Sequence, residues 1–460
     1  MRLATATLDR LPGDIGRPGY DRATEVRGIV HLGIGAFHRA HQAVFTDAAM
    51  RGGDHGWAIT GVSLRAPGVR DALAPQDGLY TVTERDAATT RTQLIGAVTT
   101  LLVAPERPAA VEAAIAAPDT RIISLTVTEK GYYRRPDGAL DIAAVTAAGD
   151  TLYHYLARGL ARRRAAGLPG VTLLCCDNLS DNGRVLGGAL AAWLDHAAPD
   201  LLGWFEAECA CPSTMVDRIV PATTDADRAD IAARLGLDDA GAVITEPFRQ
   251  WVIEDRFAGP RPRWGSVGAE LVDDAKPYET AKLRMLNGAH SALSYLGIAA
   301  GLDYVHQAIA DPAIHALVEQ LMRREAAPTI AVAPGQDLAA YADALLQRFA
   351  NTALPHSLRQ IATDGSQKIA QRWLEPLAIN RARGLTCPAT LRALAAWVRF
   401  VRGDAGRVDD PMAAELAALW QLAGADGIVD ALFGTGGLLT PRWAADDASL
   451  AMLRQFVRGA

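Results

Sequence analysis

The sequence predicts an α/β domain followed by a mainly helical one, and three observations carry that expectation. Short β-branched runs alternate with Ala/Leu-rich segments over the first half, as βαβ units do. A glycine turn, Gly33-Ile34-Gly35, closes the first of these runs. After about residue 272 strand-like runs become rare and long Ala/Leu segments dominate. A chain of 460 residues also exceeds what one hydrophobic core usually serves, so two domains are expected. We read residues 1–272 as a dinucleotide-binding domain and 273–460 as a mainly helical substrate and catalytic domain.

Each element follows from its local pattern. GIVHLGIGAF (28–37) is a buried strand entering the glycine turn, and WAITGVSL (57–64) is a second strand. LYTVTER (79–85) is a third, and residues 105–117 have helical composition. RIISLTVTE (121–129) is a long apolar strand. TLYHYLARGLARRRAA (151–166) is a helix whose three arginines suit its C-terminal end. VTLLCCDN (171–178) is a further strand ending in polar residues. Near-continuous apolar strands separated by helices point to a mostly parallel sheet covered on both faces. The helical region comprises 281–300, 312–326, 337–350, 389–403 and 412–423, with Pro277 where a first helical turn tolerates it.

Composition narrows the function. Half the residues are apolar, about a fifth are charged and the net charge is −6, as in ordinary soluble proteins. No basic tract interleaves with aromatics, so no nucleic-acid partner is expected. No uninterrupted apolar run reaches about 18 residues, which argues against a membrane span. MRLATATLDRLPGD lacks the apolar stretch of a signal peptide, and five scattered cysteines fit a reducing cytoplasm. Neither Cys175-Cys176 nor Cys209-Ala210-Cys211 has a partner pair at metal-site spacing, so no metal is expected.

The glycine turn matches the first two positions of a dinucleotide fingerprint, where the backbone approaches a pyrophosphate. Gly33, Gly35, Ala36, Phe37, His38 and Arg39 are therefore candidate cofactor contacts, with His38 standing where a third glycine is usual. The second strand ends Ser63-Leu64-Arg65, without the carboxylate that would bond an adenosine ribose. Arg65 can contact an adenine face or a 2′-phosphate, which leaves NAD against NADP open at this point. Asn178 lies beyond a strand end, the edge where open α/β sheets bind ligands. Taken alone, it reads best as a cap for the next helix.

The segment KPYETAKLRMLNGAH (276–290) carries the strongest chemical signal. At roughly 100° per residue on an α-helix, with Lys282 at zero, Glu279 falls near about 60°, His290 near about 80° and Asn287 near about 140°. A carboxylate, an amine, an imidazole and an amide thus share one arc of an otherwise apolar helix. Oxidising a secondary alcohol needs a base for the hydroxyl proton as hydride leaves for a nicotinamide. Lys282 can be that base if burial lowers its pKa, and Asn178 with Asn287 can hold the developing alkoxide without a metal. His290 can orient the hydroxyl, and Glu279 can relay the proton outward.

At these residues the chain resembles the polyol-specific long-chain dehydrogenase/reductase family. The resemblance rests on GIVHLGIGAFHRAHQAVFTD (28–47), SLTVTEKGY (124–132), CDNLSDNG (176–183), STMVDRIVP (213–221), EPFRQWVIEDRF (246–257) and KLRMLNGAHSALSYLG (282–297). It implies a Rossmann-type N-terminal domain, a helical C-terminal domain, a site in the cleft between them and metal-independent hydride transfer by a monomer. It implies Lys282 as acid/base, Asn178 and Asn287 as oxyanion donors, His290 as orienting partner and Glu279 as proton gate. Asp217 matches a position lining the nicotinamide and substrate pocket, and Lys368 a substrate-contacting lysine.

One departure bears on substrate. Members acting on uncharged polyols tend to carry an arginine where LRQIATDGSQKIAQR has Gln360. The DGSQK…QR text resembles the branch acting on D-fructuronate and D-mannonate, with NAD the cofactor expected. A carboxylated substrate would use a further cation, for which Arg359, Arg372 and His356 are candidates. A polyol dehydrogenase of the same family is the second reading. A catalytically silent redox sensor is the third, and it would need none of Lys282, Asn178 or Asn287.

Overall fold

The computed structural model describes residues 1–459 and divides into two compact units, Met1–Ala275 and Lys276–Ala460. The first unit carries β1 (Ile29–Leu32), β2 (Ile59–Ser63), β3 (Tyr80–Arg85), β4 (Thr90–Ile95), β5 (Val98–Val103), β6 (Ile122–Leu125), β7 (Thr172–Cys175), β8 (Thr214–Asp217), β9 (Val243–Thr245), β10 (Gln250–Glu254) and β11 (Glu270–Val272). Its main sheet is wholly parallel, ordered β5-β2-β1-β6-β7. Every residue of β1, β2, β6 and β7 is buried, which explains why these strands read as continuous apolar runs. Helices Pro108–Ala116, Leu152–Ala165 and Asn182–Ala197 contribute Val111, Ile115, Leu156, Leu160, Leu186 and Leu190 to a core cluster with β1, β6 and β7. A second cluster is built around Val44, Phe45, Trp251 and Trp264.

The LYTVTER strand lies outside the parallel sheet. It forms β3, antiparallel to β4 and parallel to β9, in a separate sheet ordered β4-β3-β9. The strand beside β2 in the main sheet is instead β5, which runs parallel to it. Alternation within a strand fixes its faces but not its neighbour, and Val82 pairs with Val243 far along the chain. The glycine turn leads into a short helix, Ala36–Ala40, which breaks at His41 (φ −123°, ψ −90°) before Gln42–Arg51.

The second unit is helical. Its spine runs from Lys276 to Ala299, but the register changes within it: Lys276–Ala281 is α, Lys282–Asn287 is π, and Gly288–Ala299 is α again. Leu321–Ala326 and Ala370–Leu374 are also π segments. Ala413–Phe433 is long and apolar enough to cross a membrane by length and composition alone. Its Leu416, Trp420, Ile428, Val429, Leu432 and Phe433 nevertheless pack into this unit's core, and Gly424 interrupts its helical geometry (φ +61°).

Candidate active site

The carboxyl ends of parallel strands leave a crevice where the chain parts to opposite faces of the sheet. Here a cavity of about 430 Å³ opens at the ends of β1, β2 and β6. Its walls include Gly33 and Gly35, Ser63 and Arg65, and Thr126 and Thr128. Gly33 holds φ +99°, and a Cβ there would run into the Thr126 carbonyl, so the turn requires glycine. The Gly33 carbonyl accepts from Thr126 Oγ1 at 2.8 Å and lies 3.2 Å from His31 Nε2. His31 Nδ1 meets Ser124 Oγ at 2.8 Å, so the ring is fixed at both nitrogens. Burial pushes its pKa down to about 3, which keeps it neutral. A glycine turn braced from beneath, facing a cavity of ligand size, fits a dinucleotide.

The candidate contacts divide on this geometry. Gly33, Gly35 and Arg65 line the cavity, and Arg65 is exposed there. Ala36 and Phe37 begin the short helix beyond the turn, where the Phe37 ring stacks on His41. His38 is fully buried and stacks on His31 with ring centroids 3.4 Å apart. Arg39 donates to the Gly241 carbonyl and lies over the Tyr80 ring, bracing the domain. Asp217 closes β8, in a different sheet, and is buried.

Asn178 does not cap the helix that follows, as its sequence position first suggested. That helix starts at Asn182 with Asp181 at its N-cap, and no side chain caps it. Asn178 is exposed just past β7, directly after the buried Asp177.

In the second unit, the π register revises the α-helical arc drawn from the sequence. Bonds from i to i+5 bring residues five apart nearly into line, which places Lys282 and Asn287 closer in azimuth than an α-helix would. Lys282 and Asn287 are half-buried, and Glu279 pairs with Lys276 at 3.3 Å. His290 is buried against the Phe349 ring and the edge of His356. Burial, then the neighbouring His356, Arg348 and Arg372, hold its pKa well below the ordinary imidazole value. Burial likewise lowers His356. Both rings are therefore neutral and suited to orienting a hydroxyl.

The third π segment packs against the first. Its Trp373 donates to the Gly288 carbonyl at 3.2 Å, and Arg372 Nη1 donates to Ser291 Oγ at 2.7 Å and the Asn287 carbonyl at 3.4 Å. π geometry weakens the usual i→i−4 ladder, and these donors serve the carbonyls at its end. Burial lowers the Arg372 guanidinium to about 10. Asn287, His290, Ser291, His356 and Arg372 thus form one cluster. Lys368 Nζ donates to the Thr363 carbonyl at 2.6 Å. Arg359 and Gln360 are exposed, and Arg359 donates to the Ala405 carbonyl at 2.8 Å, so neither joins the cluster. Ser291, His31 and Thr126 escaped sequence reasoning. The helical offset of four between Asn287 and Ser291 was the one signal available.

The glycine-turn cavity at the end of the parallel sheet suits a dinucleotide, and the second unit carries an amine, an amide and a neutral imidazole along one helical spine, features of a dinucleotide-dependent oxidoreductase. Two family models match the chain in order: the mannitol dehydrogenase Rossmann domain over residues 27–266 and the mannitol dehydrogenase C-terminal domain over residues 274–435. The chain belongs to the mannitol dehydrogenase family. It is 40% identical to a mannitol 2-dehydrogenase of Pyrenophora tritici-repentis, over 91% of this chain and 77% of that one. It is also 40% identical to the D-mannonate oxidoreductase of Escherichia coli, over 95% and 93% of the two chains. Among solved structures it resembles Pseudomonas fluorescens mannitol 2-dehydrogenase in ternary complex with NAD and D-mannitol. That likeness has a TM-score of 0.83 and 34% identity, covering 100% of this chain and 96% of that one.

Proposed function

We propose that this enzyme interconverts D-mannonate and D-fructuronate with NAD(H), a fructuronate reductase reaction. Arg372 carries the choice of a charged substrate. Its guanidinium is half-buried, and its hydrogen bonds go to a hydroxyl and a backbone carbonyl rather than to a carboxylate. A cation partly withdrawn from water with no anion beside it is incompletely compensated. A sugar carboxylate beside Ser291 and Asn287 would complete that compensation and recognise the substrate at once. Gln360, where polyol-oxidising members tend to carry an arginine, is consistent with this reading.

Bound NAD supplies the hydride acceptor. Lys282, in its unprotonated form, takes the hydroxyl proton, and Glu279 passes it outward. Asn178 and Asn287 donate amide N–H bonds to the oxygen as negative charge grows on it, where fixed donors are worth most. His290, neutral, fixes the hydroxyl's direction. Lys368 and His356 complete the substrate's polar contacts. In the reductive direction Lys282 returns the proton to the ketone oxygen.

D-mannitol and D-fructose form the second reading, favoured by the equal identity to the mannitol 2-dehydrogenase of Pyrenophora tritici-repentis. One assay separates the two: NADH oxidation with D-fructuronate beside D-fructose, for wild type and Arg372→Gln. We expect faster turnover with fructuronate, and a KM for it raised about tenfold or more in the variant, the cost of one charged hydrogen-bonded contact. Faster reduction of fructose by wild type overturns the assignment.

A further inference from the structure

Asp177 has no part in the chemistry above, yet it joins two of its components. It follows β7 and immediately precedes Asn178. Its carboxylate accepts from the Val127 amide at 2.9 Å, the Thr128 amide at 2.9 Å and the Tyr132 hydroxyl at 2.7 Å. Its own carbonyl accepts from the Leu179 amide and from Asn182 Nδ2, which fixes the chain on the far side of Asn178. Val127 and Thr128 line the cavity beyond β6.

Thr128 needs such a hold. It stands at φ +67°, ψ 159°, a region that is almost exclusively glycine's and that is most costly for a β-branched residue. Such a conformation persists only where its surroundings over-determine it. Two amides gripped by one buried carboxylate supply that constraint, and charged hydrogen bonds are the strong ones. Tyr132, bonded to the carboxylate and to Cys175 Sγ, closes the arrangement from within the core.

We infer that Asp177 is a positioning residue that locks the strained Val127–Thr128 wall of the cofactor cavity to the strand end presenting Asn178. The cofactor wall and the proposed oxyanion donor are thereby held in one frame by a single side chain. The part concerning Asn178 rests on the mechanism proposed above, whereas the part concerning the cavity wall does not.

The test is Asp177→Asn, alone and combined with Thr128→Gly. An amide can accept for one backbone N–H but turns its own N–H₂ toward the other, so the wall is released. We expect NADH affinity, read by fluorescence titration without substrate, to weaken about tenfold. We expect kcat to fall about a hundredfold, the scale of a small misplacement. Thr128→Gly removes the cost of the unusual backbone, so the double variant should recover most of the lost NADH affinity but little of kcat. A merely structural role would not yield that split. Hydrogen exchange on the wild-type enzyme supplies the check if the variant fails to fold: the Val127 and Thr128 amides should exchange as slowly as those of β6. NADH affinity unchanged in Asp177→Asn, no rescue by glycine, or rapid exchange at those amides overturns the inference. None of these three readouts depends on which sugar is the substrate, so a failed substrate assignment stays distinguishable.

Discussion

Replacing Gly33 and replacing Lys282 should separate binding from chemistry. A Cβ at Gly33 meets the Thr126 carbonyl, and φ +99° is unfavourable for any side chain. The turn must therefore move, and with it the cavity wall. Gly33→Ala should lose measurable NADH affinity in a fluorescence titration. Lys282→Ala should bind NADH nearly as wild type does and lose hydride transfer by about a hundredfold or more, the scale of a missing general acid/base. Turnover by Lys282→Ala close to wild type would remove the amine from the mechanism. At this scale the sequence is informative wherever the proposed chemistry needs a specific residue type. Gly33, Lys282, Asn287 and His290 stand out in one dimension. Ser291, His31 and Asp177 do not, because their meaning comes from the partners that folding gives them.

Individual elements show where local pattern stops being enough. The parallel strands were legible because burial on both faces makes them apolar throughout. Placing β3 required knowledge of β9, and the π register of Lys282–Asn287 required knowledge of the segment Ala370–Leu374 packed against it. Another π segment, Leu321–Ala326, makes its own prediction. Its buried Glu325 accepts from the Ala389 amide at 2.9 Å and from the Thr390 amide and hydroxyl at 2.7 Å each. Helix Pro388–Phe400 begins at these residues, so its unpaired N-terminal amides are served by a carboxylate from another element. Glu325→Gln places amide hydrogens against those donors. We expect a loss of about 2 kcal/mol, as for a buried charged hydrogen bond broken on one side. Urea unfolding of the second unit, followed by tryptophan fluorescence, checks it, and an unchanged midpoint refutes it.

The molecule as a whole should be sensitive to acid for a reason set in its interior. Burial lowers His31 to about 3 and holds His38 and His290 well below the ordinary value. Each ring is neutral when folded and takes up a proton once unfolded below about pH 6.5. Unfolding therefore binds protons there, and stability falls as pH falls below about 6.5. For His31 the loss runs at about 1.4 kcal/mol per pH unit until about pH 3, and above about pH 6.5 its contribution is constant. Urea midpoints should drop between pH 7.5 and 5, with a shallower slope in His31→Asn. Equal slopes for variant and wild type would contradict this account.

The imidazole pair beneath the nucleotide turn has a wider consequence. A third glycine ordinarily lets helix and strand approach closely, whereas here the face-to-face rings of His31 and His38 occupy the intervening volume. Recognition of a dinucleotide by such a turn is then a matter of spacing, which a flat aromatic couple can set as well as a hydrogen atom can. Searches keyed to three glycines would pass over chains built this way.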